Sequence, residues 1–536
     1  MTRIDDKILP DRLAAAAREG KISRRSFINY SLAAGMTMST ATGLWGTAAK
    51  ATPKRGGIFR IGQHDGSSTD SHDPGTYVGY HTIMLGHTHR SYLTMVNTDQ
   101  SLGPDVATEW FATPDAKEWT FKLNPNVTFH SGRKMNAGDV LASLNHHRRE
   151  TSTSGAKALL ANVVDIVDNG DHSVTLKMDS PNADLPWMMQ DYHLAILPAN
   201  PDGTADWQSG DGTGPYKLVE HQFGVGSRLV RHEEWHGEGA YFDEVQFIVL
   251  NDPNARQTAL LSGDVDAVSQ LENKTLSLLA RNSKVEIDNV PSASAVTMPM
   301  HCDRTPFDNV DVRMALKLAM NRKEMIEKVT YGAATLGNDF HHSSAMAYFP
   351  SDIPQREYDP DQAKFFLKKA GAEGLSVKLH VSDSVTNGAV DLCVLYAEQA
   401  KAAGININVV REPNDGYWSN VWLKKPWCLS SWGPRPTPDL IYTSTYKDDS
   451  SWNEARWKNP RFNEILTEAK SQLDDVKRAE MYREMGMIAR DDGGTLIPYF
   501  PNYVYGRRSN VRHSGELSAA WMLDGGRAAQ RWWFDG

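Results

Sequence analysis

Val377-Lys378-Leu379-His380-Val381 and Ile405-Asn406-Ile407-Asn408-Val409 each alternate residues with a period of two. That period places every second side chain on one face of a strand. Between them, residues 388–403 carry Ala, Leu and Val at helical spacing. A strand, a helix and a strand in this order make a crossover unit whose two strands lie parallel. The stretch therefore predicts an α/β fold.

Working outward, Asp359-Pro360-Asp361 caps a helix whose apolar stripe is Ala363, Phe366, Leu367 and Ala370, with Gly371 as its stop. Val310 to Val329 reads as one helix, with Val312, Ala315, Leu316, Ala319 and Met320 on one face. Asn459-Pro460-Arg461 opens a helical pair that reaches Ala489. A second α/β block runs from Tyr216 to Gly263: strands at 216–219, 228–231 and 245–250, then a helix capped by Asp252. Ahead of it, Ile58-Phe59-Arg60-Ile61 and Ser173 to Met178 alternate as strands. Trp119 to Leu123 and Val127 to His130 read as a hairpin around Asn124-Pro125-Asn126, and a helix follows with Asn136 as its cap. Extended connections near 291–300 and 495–505 join the two blocks and predict two lobes with strands crossing between them.

At 536 residues the chain exceeds the size at which a single core keeps growing, so two or three domains are expected. Ser23-Arg24-Arg25-Ser26-Phe27-Ile28, a mildly apolar run and Ala49-Lys50-Ala51 resemble a twin-arginine export signal cleaved near Ala51. The run to Ala49 holds too many Ser and Thr for a membrane span. Export places the mature chain in a bacterial periplasm. The whole chain has a formal net charge of −9, and the signal is its basic part, so nucleic acid is excluded as a partner. Cys302, Cys393 and Cys428 are too few and too scattered for a disulfide framework or a zinc knuckle.

His232-Glu233-Glu234-Trp235-His236 spells a zinc-hydrolase motif, which needs a helix to set both imidazoles on one face. Strand-like residues precede it and Gly237 and Gly239 follow, so that helix is not expected. His87 and His89, His146-His147 and His341-His342 lack ligand spacing, and Gly212-Thr213-Gly214-Pro215 lacks the end of a phosphate-binding loop. No catalytic residues, metal site or cofactor are expected. Trp432-Gly433-Pro434-Arg435-Pro436-Thr437-Pro438-Asp439 is different. Three alternate prolines fix the backbone, so Arg435 projects from a pre-organised loop beside an aromatic face.

Seven segments, in order, resemble the extracytoplasmic solute-binding proteins of ABC transporters, family 5, the peptide, nickel and opine group. They are Asp105 to Trp110, Trp119 to Leu123, Phe129 to Gly132, Gly212 to Tyr216, Ala259 to Asp266, Pro306 to Ala315 and Tyr358 to Lys364. The resemblance implies an α/β, two-lobed periplasmic binding protein fold with discontinuous lobes, a hinge and an extra domain inserted in the first lobe. Lobe I is expected at 52–80, 205–297 and 496–536, the insert at 81–204 and lobe II at 298–495. The implied function is that of a monomeric receptor, not an enzyme, delivering a peptide or peptide-like ligand to ABC permease subunits. A nickel or haem carrier of the same family, or a secreted zinc hydrolase, is the alternative. In peptide-binding members an Asp stands three residues after the loop Trp and pairs with the ligand's α-ammonium. Here Arg435 stands there and favours a carboxylate or phosphate, such as an opine's. Asp439 matches a second acid of the family further along, so free-amine recognition is weakened rather than excluded. Trp418, Tyr499, Phe500 and Asn502 are the further wall residues implied by position.

Overall fold

The structure, a computed structural model, describes residues 53–535; the export signal expected at 1–51 lies outside the described residues. The first lobe is built on a seven-stranded sheet. Its order is Val285–Val290, Tyr503–Arg508, Ala267–Val268, Ile58–Gln63, Glu244–Val249, Gly226–Arg231 and Tyr216–Gln222. Ile58–Gln63 runs parallel to both of its neighbours. The remaining pairs are antiparallel. Asp252 caps the crossover helix Pro253–Ser262 by accepting from Ala255 N, and Gly263 ends it with a φ of 88°.

The insert is a four-stranded antiparallel sheet, Ala107–Ala112, Glu118–Leu123, Ser173–Met178 and Val163–Asp168, packed on the helix Ala137–Arg148. Asn136 and Asp139 close a reciprocal capping box at the start of that helix. Two expectations change here. The hairpin expected around Asn124-Pro125-Asn126 does not form, because Glu118–Leu123 takes its partners from Ala107–Ala112 and Ser173–Met178. Residues 81–89, placed by the sequence with the insert, belong to the helix Tyr80–His89, whose Met84 and Leu85 pack into the core of the seven-stranded sheet.

In the second lobe Ser376–Val381 and Asn406–Arg411 pair in parallel on either side of the helix Ala389–Ala400. Val377, Leu379 and Val381 face inward while Ser376 and Lys378 face solvent, as the alternation requires. The helix expected over Val310 to Val329 is two, Val310–Leu318 and Arg322–Val329. The break falls where Asn321 turns out of helical geometry and caps the second helix through Glu324 N.

Two stretches of chain cross between the lobes. Val285–Val290 belongs to the first-lobe sheet, and after four residues Ala295–Pro299 pairs with Ser430–Trp432 and Thr495–Leu496 in the second. Thr495–Leu496 likewise leads, through Tyr499–Pro501, to Tyr503–Arg508 in the first. Both crossings are a few residues of extended backbone at the ends of elements, where a hinge absorbs changes in φ and ψ.

Candidate functional site

Ala267–Val268 in the first lobe leads to a cleft that the second lobe faces with the loop after Val381. Ligands in α/β folds sit outside the carboxyl ends of such strands. A cavity of about 520 Å³ opens there between the lobes, lined by Gln270, Ser292, Ser294, Thr386, Asn502 and Tyr503 among others. That is room for a small molecule or a short peptide. A second cavity, of about 790 Å³, lies between the insert and the second lobe around Arg478.

Trp432 ends the strand Ser430–Trp432 opposite Ala295, and it is buried. It meets Trp452 at a centroid distance of 5.8 Å and Trp422 at 6.3 Å, and Trp422 meets Trp418 at 5.9 Å. Trp418 and Trp452 are exposed, so four tryptophans run from the buried loop base to solvent. Glu454 stands behind them, buried, accepting from Trp422 Nε1 at 2.8 Å and from Thr297 Oγ1 at 2.8 Å. Burial pushes its carboxyl up from the usual range, although the hydrogen bonds oppose this.

Arg435 is partly buried, and its one hydrogen bond runs from Nη1 to the neighbouring Pro434 O, at 2.9 Å. No carboxylate among the described residues pairs with it within 4 Å. Desolvation lowers its pKa, opposed by the charges of Asp191 and Tyr192 from the insert. From Tyr192 an aromatic wall continues: Tyr192 to Trp521 at 5.3 Å, Trp521 to Tyr80 at 5.8 Å and Tyr80 to His64 at 4.6 Å. A cation of the second lobe thus lies within electrostatic reach of Tyr192, the ring at which this wall from the insert, the C-terminal segment and the first lobe begins. Burial and Arg256 lower the His64 pKa to about 4, so the wall is neutral at neutral pH.

The turn behind Trp521 is strained. Leu523, Asp524, Gly525 and Gly526 all hold positive φ, at 53°, 62°, 68° and 80°. For Leu523 and Asp524 this is costly backbone, of the kind that concentrates at ligand clamps. Asp524 holds the turn by accepting from Ser518 N at 2.8 Å, Arg531 Nη1 at 3.1 Å and Trp532 Nε1 at 3.2 Å.

Of the residues singled out from sequence, Trp432, Trp418 and Arg435 lie in this arrangement, and Asn502 lines the hinge cavity. Tyr499 also touches that cavity, but its ring is buried in the second-lobe core. Phe500 alternates to the other face of its strand and sits in a separate buried cluster with Trp432 and Tyr442. Asp439 is buried in the first turn of the helix Pro438–Thr445, where it pairs with Lys470 at 3.0 Å. Tyr80, Tyr192, Trp422, Trp452, Glu454 and Trp521 were not singled out. Apart from Tyr80, which opens the helix Tyr80–His89, they lie in loops, and only long-range packing brings them together.

His232 to His236 form a turn after Gly226–Arg231 rather than a helix. His232 Nδ1 faces Gly214 O at 3.3 Å, His236 Nε2 pairs with Asp105 at 3.3 Å, and Glu233 pairs with Arg231 at 2.9 Å. The three side chains thus have separate partners. No group of three metal-ligating side chains is present among the described residues.

The chain is 24% identical to the probable ABC transporter periplasmic-binding protein SapA of Escherichia coli K12, over 75% of its own length and 78% of the relative's. It is 22% identical to the dipeptide-binding protein of the same organism, over 74% and 80%. The solved structure of HbpA2 from Haemophilus parasuis superposes with a TM-score of 0.78 at 18% identity, covering 87% of this chain and 99% of that one. The family model for bacterial extracellular solute-binding proteins, family 5 middle region, matches residues 101–454. With two lobes, an insert and a cleft between them, the chain belongs to the bacterial extracellular solute-binding proteins of family 5.

Proposed function

We propose that this chain is the periplasmic ligand-capturing component of an ABC importer. It takes up a peptide or peptide-like small molecule bearing a carboxylate or phosphate, the opine type included, and hands it to the permease by hinge closure. Lobe I at 52–80, 205–297 and 496–536 and lobe II at 298–495 serve as its working boundaries, with the insert starting after the helix Tyr80–His89. The mature protein acts as a monomer after twin-arginine export and performs no catalysis.

The observation that carries the anionic reading is Arg435: a partly buried guanidinium with no carboxylate partner, presented on a proline-stiffened loop within electrostatic reach of a neutral aromatic wall. A buried unpaired cation is costly, and a ligand anion held bidentately offsets that cost. The α-ammonium of an ordinary peptide meets like charge there.

Calorimetry and thermal-shift screening of di- to hexapeptides, opines and acidic amino-acid conjugates test the assignment. Native mass spectrometry of the freshly purified protein shows what it carries from the cell. The expected binder carries an acidic group, and its affinity depends on that group. Binding of free-amine peptides that is indifferent to blocking every acidic group would sink the anionic reading.

A further inference from the structure

We propose that Asp184 of the insert latches the closed state by gripping the ligand loop, and that Arg478 changes partner from Asp184 to Asp439 when the lobes part. The inference rests on the hinge-closing receptor reading above and names a residue that couples the ligand loop to closure.

Thr437 stands at the N-cap of the helix Pro438–Thr445, a position where Thr ordinarily accepts from a backbone N–H of the first turn. It makes no such bond. Its hydroxyl donates across the cleft to Asp184 Oδ2, while Asp184 Oδ1 accepts from Arg478 Nη2. Asp184 and Arg478 are 2% and 3% exposed, so water contributes almost nothing to either charge. Beside them Ala183 N donates to Lys470 O at 2.8 Å, and Leu440 packs against the core of the insert. Every one of these contacts joins the insert to the second lobe, and lobe separation breaks them together.

Separation would take the carboxylate of Asp184 away from Arg478. The hydroxyls of Tyr348 and Tyr482 accept from it at 3.2 and 3.1 Å but carry no charge. Asp439 supplies one. Its Oδ2 pairs with Lys470 at 3.0 Å, while its Oδ1 is buried with no hydrogen-bond partner. Burial raises the Asp439 pKa and Asp184 adds to this, while Lys470 and Arg478 act in the opposite sense, so Asp184, Arg478 and Asp439 lie within electrostatic reach of one another. A carboxylate with an unused buried oxygen, next to a cation whose partner sits on the other moving body, is arranged for exchange. Arg435 lies two residues before Thr437 on the same proline-braced loop, so a ligand that fixes Arg435 fixes the latch as well.

The test uses the mature protein without ligand, carrying spin labels at Val164→Cys and Phe365→Cys in a Cys302→Ser background. Both label sites are exposed, one on the insert and one on the second lobe. Pulsed electron-electron resonance then reads the open-to-closed ratio. Asp184→Asn is expected to raise that ratio about tenfold or more. Thr437→Val, a milder change that leaves the charges in place, should raise it less, and Asp439→Asn should leave it unchanged or lower it. A ratio that stays put in Asp184→Asn and Thr437→Val, or that rises in Asp439→Asn as far as in Asp184→Asn, overturns the latch. No ligand enters the measurement. Its failure therefore leaves the ligand assignment standing, and a ligand screen without binders leaves the latch standing.

Discussion

Trp422 donates its Nε1–H to Glu454 Oε2 over 2.8 Å, which fixes the ring at the centre of the tryptophan row from a carboxylate that solvent does not reach. Thr297 holds the other oxygen, and Ser430 Oγ and Trp432 Nε1 lie around the same carboxyl short of hydrogen-bond geometry. Burial raises the folded-state pKa above the unfolded value of 4.5. The folded state therefore holds its proton more tightly, and this contribution to stability is present below that value and lost as pH rises through the folded pKa. In Glu454→Gln the loss is absent, so wild type should become progressively less stable relative to the variant as pH rises above 4.5. Urea unfolding of both proteins across that range reads the difference, and parallel pH profiles would refute the buried-charge account. Glu454→Ala is a different perturbation: it strands the donors of Trp422 and Thr297 and should cost about 2 kcal/mol.

Arg435→Asp inverts the charge at the loop. An anionic ligand should bind at least about thirtyfold more weakly, or roughly 2 kcal/mol, because a desolvated charged contact becomes a repulsion. A free-amine peptide should gain affinity in the same variant. Isothermal calorimetry on wild type and variant decides it, and unchanged affinity for the anionic ligand removes Arg435 from the site.

Asp339 organises the base of the second lobe. Its Oδ1 accepts from Arg322 Nη2 at 2.6 Å and from Ile497 N at 3.0 Å, and its Oδ2 from Arg356 Nε at 3.0 Å. Burial alone would raise its pKa, but Arg322, Lys317 and Arg356 together hold it below the usual carboxylate value. Asp339→Ala leaves two buried guanidinium groups without their carboxylate and should cost about 3–5 kcal/mol, read as a fall in denaturation midpoint. Because Ile497 leads into one of the two crossings, that variant should also loosen the hinge side of the lobe.

The zinc-hydrolase reading of His232, Glu233 and His236 has a direct check. Elemental analysis of protein purified without chelator should give less than stoichiometric zinc, and Glu233→Gln should leave ligand affinity unchanged. Stoichiometric zinc lost on His236→Ala would reverse this.

What was legible in the sequence is what periodicity and punctuation encode. The parallel pair at Val377 and Ile407 follows from alternation around one helix, and the crossings near 291–300 and 495–505 follow from extended apolar runs that no turn interrupts. Asn136, Asp252 and Asp359 were readable as caps because capping is local chemistry between residues three apart. The split at Ala319 to Asn321 was missed because a break without Gly or Pro depends on tertiary packing rather than on propensity. The partner of Glu118–Leu123 was missed because strand pairing is a long-range choice. For the site, the proline-braced Arg435 was visible, since stiffness and charge are written in eight consecutive residues. Sequence carries no sign that Lys470, thirty-one positions away from Asp439, pairs with its carboxylate. The aromatic wall of Tyr80, Tyr192 and Trp521 comes from three units of the fold and has no local signature.

Asn502 ties the two crossings together and should tune closure more than stability. Its Nδ2 donates to Asn289 Oδ1 at 2.8 Å, its Oδ1 accepts from Thr335 Oγ1 at 2.9 Å, and its backbone N donates to Ala333 O at 3.1 Å. Asn289 lies on the last first-lobe strand before one crossing, and Thr335 pairs with Phe500 on the approach to the other. These side-chain bonds are partly solvated, so Asn502→Ala should lower stability by no more than about 1 kcal/mol. The same loss at a hinge removes a constraint on the angle between the lobes, and the cost of recovering the closed angle falls on ligand binding. Ligand affinity should therefore drop several-fold, with little change in melting temperature. Small-angle scattering should show the ligand-free variant more expanded than wild type. A variant with wild-type scattering and affinity but a large fall in melting temperature would instead make Asn502 an ordinary packing residue of the second crossing.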